Sequence, residues 1–182
     1  MQNSHTRRIV LIALLIALEI VLTRLLSFQP VPAMRISFGF IAIASMAVLF
    51  GPIYAGIGAA AADFLGFILV PPASGAPFFP GFTLTAFLMG VVYGVFLYKR
   101  AYAFWRICAA ALIITIILQL GLDTIWLWII LEDGVAAMIP IRLVRTLIMA
   151  PMQIIALRFM MSERFKDIFG SHAKPPLDID AA

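Results

Sequence analysis

Four places in an otherwise apolar chain carry side chains able to do chemistry. Gln119, Asp123 and Trp126 stand at i, i+4 and i+7, the spacing that puts an amide, a carboxylate and an indole on one face of a helix. Such a stripe suits a planar, nitrogen-rich ligand. The carboxylate can accept two parallel N–H bonds from an amino-pyrimidine edge while the indole stacks on the ligand's face. The other reading is that Asp123 pairs with an arginine and only ties helices together. Arg142, Arg145, Met149 and Gln153 form a second stripe at spacings of three and four. Arg142 lies where its long side chain is expected to snorkel to the outer surface. Arg145, a turn deeper, needs a partner; it can neutralise Asp123, hold a ligand carboxylate, or do both.

Two further acids stand alone. Asp63 follows Gly56, Gly58 and the run Ala59–Ala62, small residues that permit close helix approach. It points either into a cavity or across to a basic group. Glu19 lies in the middle of the first apolar segment with Thr23 beside it, while Ala13 and Ala17 form a small pair on a different face. That alanine face is free to pack on another helix while Glu19 and Thr23 look inward. An ionisable group in a bilayer core costs about 2.5–3.5 kcal/mol on insertion scales, so each of these residues needs a cavity or a partner.

The elements that position them are set by composition. Of 182 residues, 64% are hydrophobic and only 12% charged, with a mean hydropathy of +1.08. A soluble domain carries about 25% charged residues, so a soluble fold is excluded. A spanning helix needs about 20 mostly apolar residues, which leaves length for six spans: Ile9–Ser27, Ile36–Phe50, Pro52–Val70, Phe82–Tyr98, Ala103–Leu131 and Val135–Met161. The N-terminal apolar run continues past Glu19 without a small-residue cleavage site and reads as a retained helix rather than a signal peptide. The fold class is thus an all-α integral membrane bundle. Residues 1–169 form one membrane domain, and the polar stretch 170–182 is expected to be a disordered tail.

Two connections differ from the rest. Phe28–Arg35 holds two prolines, and Pro71–Gly81 holds four prolines and two glycines. Apolar yet non-helical backbone survives near a membrane only where protein covers it or it lines a cavity. With the N-terminus in the cytoplasm, the cytoplasmic ends carry Arg7, Arg8, Lys99, Arg100, Arg106, Arg158, Arg164 and Lys166, while Arg24, Arg35 and Arg142 stand opposite with Glu132 and Asp133. That bias satisfies the positive-inside rule, and it puts both Pro-rich loops outside, as lids over a pocket. The formal net charge of +4 therefore belongs to helix ends and does not indicate nucleic-acid binding.

Equally informative is what the sequence lacks. There is no HExxH, GxSxG or P-loop motif, His5 and His172 lie at the termini, and Cys108 is the single cysteine. No cofactor or metal is expected. An enzyme built on Glu19, Asp63 and Asp123, or a small channel, are the readings from other classes. The residues themselves lead to a ligand-binding bundle with a lid and no motor of its own.

Several segments together are similar to the folate family of S components, the substrate-binding subunits of energy-coupling-factor transporters. Arg35-Ile36-Ser37-Phe38-Gly39-Phe40-Ile41 resembles that family's first-loop signature. So do Phe50-Gly51-Pro52 with the helix ending at Asp63, Phe78-Phe79-Pro80-Gly81-Phe82-Thr83-Leu84, and Gly90-Val91-Val92-Tyr93-Gly94 through Tyr98-Lys99. The resemblance implies a vitamin bound from outside, with the first and third loops closing over it. It adds Arg35, Phe38, Phe79 and Thr83 to the candidate ligand residues Asp63, Gln119, Asp123, Trp126 and Arg145. It also implies that Ala13 and Ala17 dock on a transmembrane coupling subunit carrying two cytoplasmic ATPases, whose ATP hydrolysis topples the subunit in the bilayer. Folate is the implied ligand, with riboflavin, thiamine, pantothenate or a queuosine precursor as alternatives. Asp123 stands where the family more often has Asn, so Arg35, Arg142 or Arg145 must balance both it and the ligand's carboxylates.

Overall fold

The computed structural model describes residues 2–31, 34–72, 77–99, 103–131 and 138–161. Glu132, Asp133, Arg100, Arg164, Lys166, the middle of the second Pro-rich loop and the stretch 170–182 lie outside these residues.

Six helical rods make the bundle. Helix α1 (Gln2–Ile20) runs on without a break into a π-turned segment, Val21–Leu25. It is followed by α2 (Gly39–Phe50), α3 (Pro52–Leu69) and α4 (Pro80–Leu97). The fifth rod is one continuous helix built from α5 (Phe104–Leu112), a π-type stretch (Ile113–Leu122) and α6 (Asp123–Leu131). The last is α7 (Ile139–Met160). Helices α3 and α4 open on a proline and α7 carries Pro140 second, positions whose missing N–H is one that no helix start can satisfy internally.

Rods three to six, counted as α3, α4, Phe104–Ile130 and α7, are each long and apolar enough to cross a membrane. Helix α1 carries Arg7 and Arg8 near its start and Glu19 near its end. Helix α2, twelve residues long, measures only about 18 Å; its Phe40, Ile43, Met46 and Ala47 lie in the core. It starts at Gly39 rather than Ile36 because the chain before it pairs with itself. Phe28–Val31 (β1) and Met34–Ile36 (β2) form a short antiparallel ribbon, with Phe28 opposite Ile36 and Val31 opposite Met34. Pro30, which helps exclude helix from this loop, is compatible with an edge strand, which is where β1 places it.

Close helix approach explains the glycines that matter. Gly51 alone joins α2 to α3, at φ +92°, a backbone region that L side chains disfavour. A Cβ on Gly90 of α4 would stand 2.6 Å from the Gly56 backbone nitrogen of α3, so these two helices touch backbone to backbone. Large apolar side chains face outward along the rods: Leu14, Ile57, Ile117, Leu147, Ile155 and Phe159 are all exposed. Apolar surface on that scale belongs in lipid, not water.

Candidate functional site

The polar side chains converge at the loop end of the bundle, where the ribbon and the root of the second Pro-rich loop meet α4, α6 and α7. One turn into α6, the Trp126 indole donates from Nε1 to the Thr85 hydroxyl at 3.1 Å, and Thr85 donates in turn to the Gly81 carbonyl at 3.1 Å. The Phe79 ring lies 5.7 Å from Trp126 at 50° and 6.1 Å from Phe82 at 72°. Gly81 is required between them, since a Cβ there would stand 2.6 Å from the Trp126 ring. The FFPGF stretch thus brings a rigid aromatic wall onto the indole.

Beside that wall the Asp123 carboxylate interacts electrostatically with Arg145, Arg142 and Asp63, and has the Thr85 hydroxyl next to it. Asp123 Oδ1, Arg142 Nη1 and Arg145 Nε are buried with no hydrogen-bond partner among the described residues. Buried polar atoms are nearly always paired, and leaving one unpaired costs about 1–3 kcal/mol or more when charged. One acceptor and two donors, on three residues that interact electrostatically, are thus left for a polar molecule to pair with.

Most of the residues read from sequence come to this end, in different roles. Arg142 does not snorkel. It is 4% exposed, and its guanidinium donates from Nη2 to the Gln119 carbonyl of the π-type stretch at 3.4 Å, because α7 packs against that stretch. Gln119 turns its amide toward the Met89 thioether at 3.8 Å. Asp63 lies across from a base: Arg24 stands 3.4 Å from Oδ1, and Thr83 donates to Oδ2 at 2.8 Å. Phe38 sits at the root of the ribbon with its ring 6.5 Å from Phe40, apart from the Phe79–Trp126 pair. Arg35 is placed by its backbone in β2; its side chain lies outside what is described.

Glu19 is buried and accepts a hydrogen bond from Thr23 at 2.8 Å, while Ala13 and Ala17 face outward. Asp63 and Asp123 are within electrostatic range of each other, while Glu19 is held by Thr23 on its own helix. Sequence reasoning missed Thr85, because a threonine in an apolar helix is ordinary and no spacing marks it as the partner of an indole on another helix. Deeper in the bundle the Met149 and Gln153 stripe faces inward as its spacing required, with Tyr93 donating to Gln153 Oε1 at 3.2 Å. Among the described residues no group of three His, Cys, Asp or Glu side chains is placed to hold a metal.

A six-helix membrane bundle with polar side chains gathered at one end defines a class, and comparison with known proteins identifies it. The model of the ECF transporter substrate-specific component matches residues 7–159, and the chain belongs to that family of transporter subunits, which are not enzymes. Among curated proteins it is 43% identical to the folate transporter FolT of Clostridium novyi (strain NT), over 80% of this chain and 82% of that one. It is 31% identical to the FolT of Leuconostoc mesenteroides, over 87% and 86% respectively. Among solved structures, a crystal structure of FolT bound with folic acid matches with a TM-score of 0.74 at 38% identity, covering 84% of this chain and 89% of the other.

Proposed function

We propose that this chain is the folate-capturing S component of an ECF-type importer in a bacterial cell membrane. The observation that carries the reading is the set of unpaired buried atoms, Asp123 Oδ1, Arg142 Nη1 and Arg145 Nε, beside the Phe79–Trp126 wall. A pterin is flat, so it stacks on aromatic rings. Its amino-pyrimidine edge presents parallel N–H donors to a carboxylate such as Asp123. Arg142 and Arg145 compensate Asp123 and supply donors to ring or glutamate oxygens. The names of the similar transporters and the folic acid in the similar crystal structure support the same ligand.

On this reading the Pro-rich loops face outside and close over the vitamin. The outward Ala13–Ala17 face of α1 meets a transmembrane coupling subunit, and two cytoplasmic ATPases supply the energy for toppling and inward release. The chain has no P-loop motif of its own, which fits a subunit energised by its partners.

The test is to purify the protein from cells and identify, by mass spectrometry after denaturation, the small molecule that accompanies it. A folate at close to one per chain is expected. Riboflavin, thiamine, pantothenate or a queuosine precursor in its place would keep the transport reading and replace the substrate.

A further inference from the structure

We infer that Arg24 is a positioning residue for the ligand site, holding the root of the second Pro-rich loop in place through Asp63 and Thr83. The location of the ligand rests on the reading above; the linkage itself is independent of which ligand binds.

The geometry begins at the π-turned end of α1, where the Arg24 side chain reaches α3. Its Nη2 stands 3.4 Å from both the Asp63 carboxylate oxygen Oδ1 and the Asp63 backbone carbonyl. The stem lies across Gly66, one turn further along α3, where a Cβ would stand 3.1 Å from Nε. The other carboxylate oxygen of Asp63 accepts from Thr83 at 2.8 Å. One carboxylate thus divides its two oxygens between α1 and the first turn of α4. The pair is largely shielded, with side chains 8% and 26% exposed, so removing one partner leaves a charge poorly solvated and the linkage broken.

Thr83 is well placed to transmit this. It lies four residues after Phe79, whose ring packs on Trp126, and two before Thr85, which accepts from the Trp126 indole. Helix α3 holds the same loop a second time, through Phe64 and Phe67, whose rings lie 5.5 and 5.3 Å from Phe78. The aromatic wall is therefore anchored on both sides of Phe79, and on the Thr83 side the anchor ends at Arg24. The pairing has a second effect. Asp63 and Asp123 are within electrostatic range of each other, and Arg24 compensates Asp63 so that Arg142 and Arg145 remain available to Asp123 and the ligand.

The test combines a readout without ligand and one with it, on the full-length protein in detergent. Arg24→Met should speed amide hydrogen exchange over Phe82–Met89, the first two turns of α4, and raise the folate dissociation rate by about tenfold or more with little change in association. Arg24→Lys, which keeps the charge, should stay near wild type in both. The double variant Arg24→Met/Asp63→Asn should be no worse than Arg24→Met alone, because both changes break one linkage. If Arg24→Met does not purify folded, Thr83→Val removes only the hydroxyl and carries the same expectations.

Unchanged exchange and dissociation in Arg24→Met, or a lysine variant as impaired as the methionine one, would overturn the inference. So would fully additive effects in the double variant. If the wild type binds no folate, the substrate reading falls and the exchange measurement alone decides the role of Arg24.

Discussion

At the residue scale the site is a problem in pairing. Asp123, Arg142 and Arg145 bring one negative and two positive charges into a buried space and leave an acceptor and two donors unused. Asp123→Ala should weaken folate binding by roughly 1.5–3 kcal/mol, the worth of a charged hydrogen bond, or about tenfold to more than a hundredfold in Kd. Calorimetric titration checks this, and an unchanged Kd would make Asp123 structural. Arg145 is buried and interacts electrostatically with Asp123, so Arg145→Met should weaken folate and the glutamate-free analogue pteroate by similar factors. A loss confined to folate would instead place Arg145 on the glutamate tail. Asp123, Trp126 and Arg145 were legible because a charge or an indole in an apolar run needs a reason. Arg142 was not, since a position near a helix end is equally compatible with snorkelling, and only the approach of α7 to Gln119 decides it. The choice left open for Asp63 was decided by Arg24, 39 residues away in sequence, a relation that no spacing within one helix can show.

At the element scale, hydropathy located all six rods but not their fine geometry. It is blind to the π-type hydrogen bonding of Val21–Leu25 and Ile113–Leu122, because those segments are as apolar as the α-helix around them. Both π segments border the site, the setting in which such helix irregularities usually occur. It also gave no sign of the β1–β2 ribbon, where two prolines forbade helix without dictating what replaced it. The small residues were more informative. Gly90→Leu would force a side chain into the α3 backbone and should lower the melting temperature in detergent, by an overpacking penalty of about 1–3 kcal/mol or more. A variant with the wild-type melting temperature would show that α3 and α4 can separate there. The outward Ala13 and Ala17 lie on the far side of α1 from Glu19. Ala13→Leu and Ala17→Leu should therefore keep folate binding and abolish uptake, as close helix approach to a partner requires. Loss of binding in either variant would place that face inside the bundle.

At the scale of the whole molecule, the division of labour follows from what the chain possesses. It has a cluster of polar side chains at one end, an exterior rich in exposed apolar side chains suited to lipid, and one helix, α1, that reaches both. The C-terminal end of α1 reaches the root of the second Pro-rich loop through Arg24, Asp63 and Thr83, and its middle offers the alanine face, so a single element touches both the proposed ligand site and the surface proposed for the partner. Composition alone established the membrane bundle. Folate was implied by the family resemblance, but the convergence of the site needed the fold, because Asp123, Arg145, Thr85 and Phe79 come from three separate helices and a loop. In proteoliposomes holding this chain with a coupling subunit and two ATPases, folate uptake should require ATP. Uptake of equal rate without ATP would contradict the proposed energy coupling while leaving the binding site intact.

The central claim is that the Asp123–Trp126 wall binds folate, and one titration tests it most directly. Folate is added to the purified, ligand-stripped protein while tryptophan fluorescence is followed, with Asp123→Ala alongside. The account predicts saturable quenching in the wild type at about one folate per chain, with the midpoint shifted at least tenfold in the variant. No saturable response to any folate, or the same midpoint in both proteins, would contradict it.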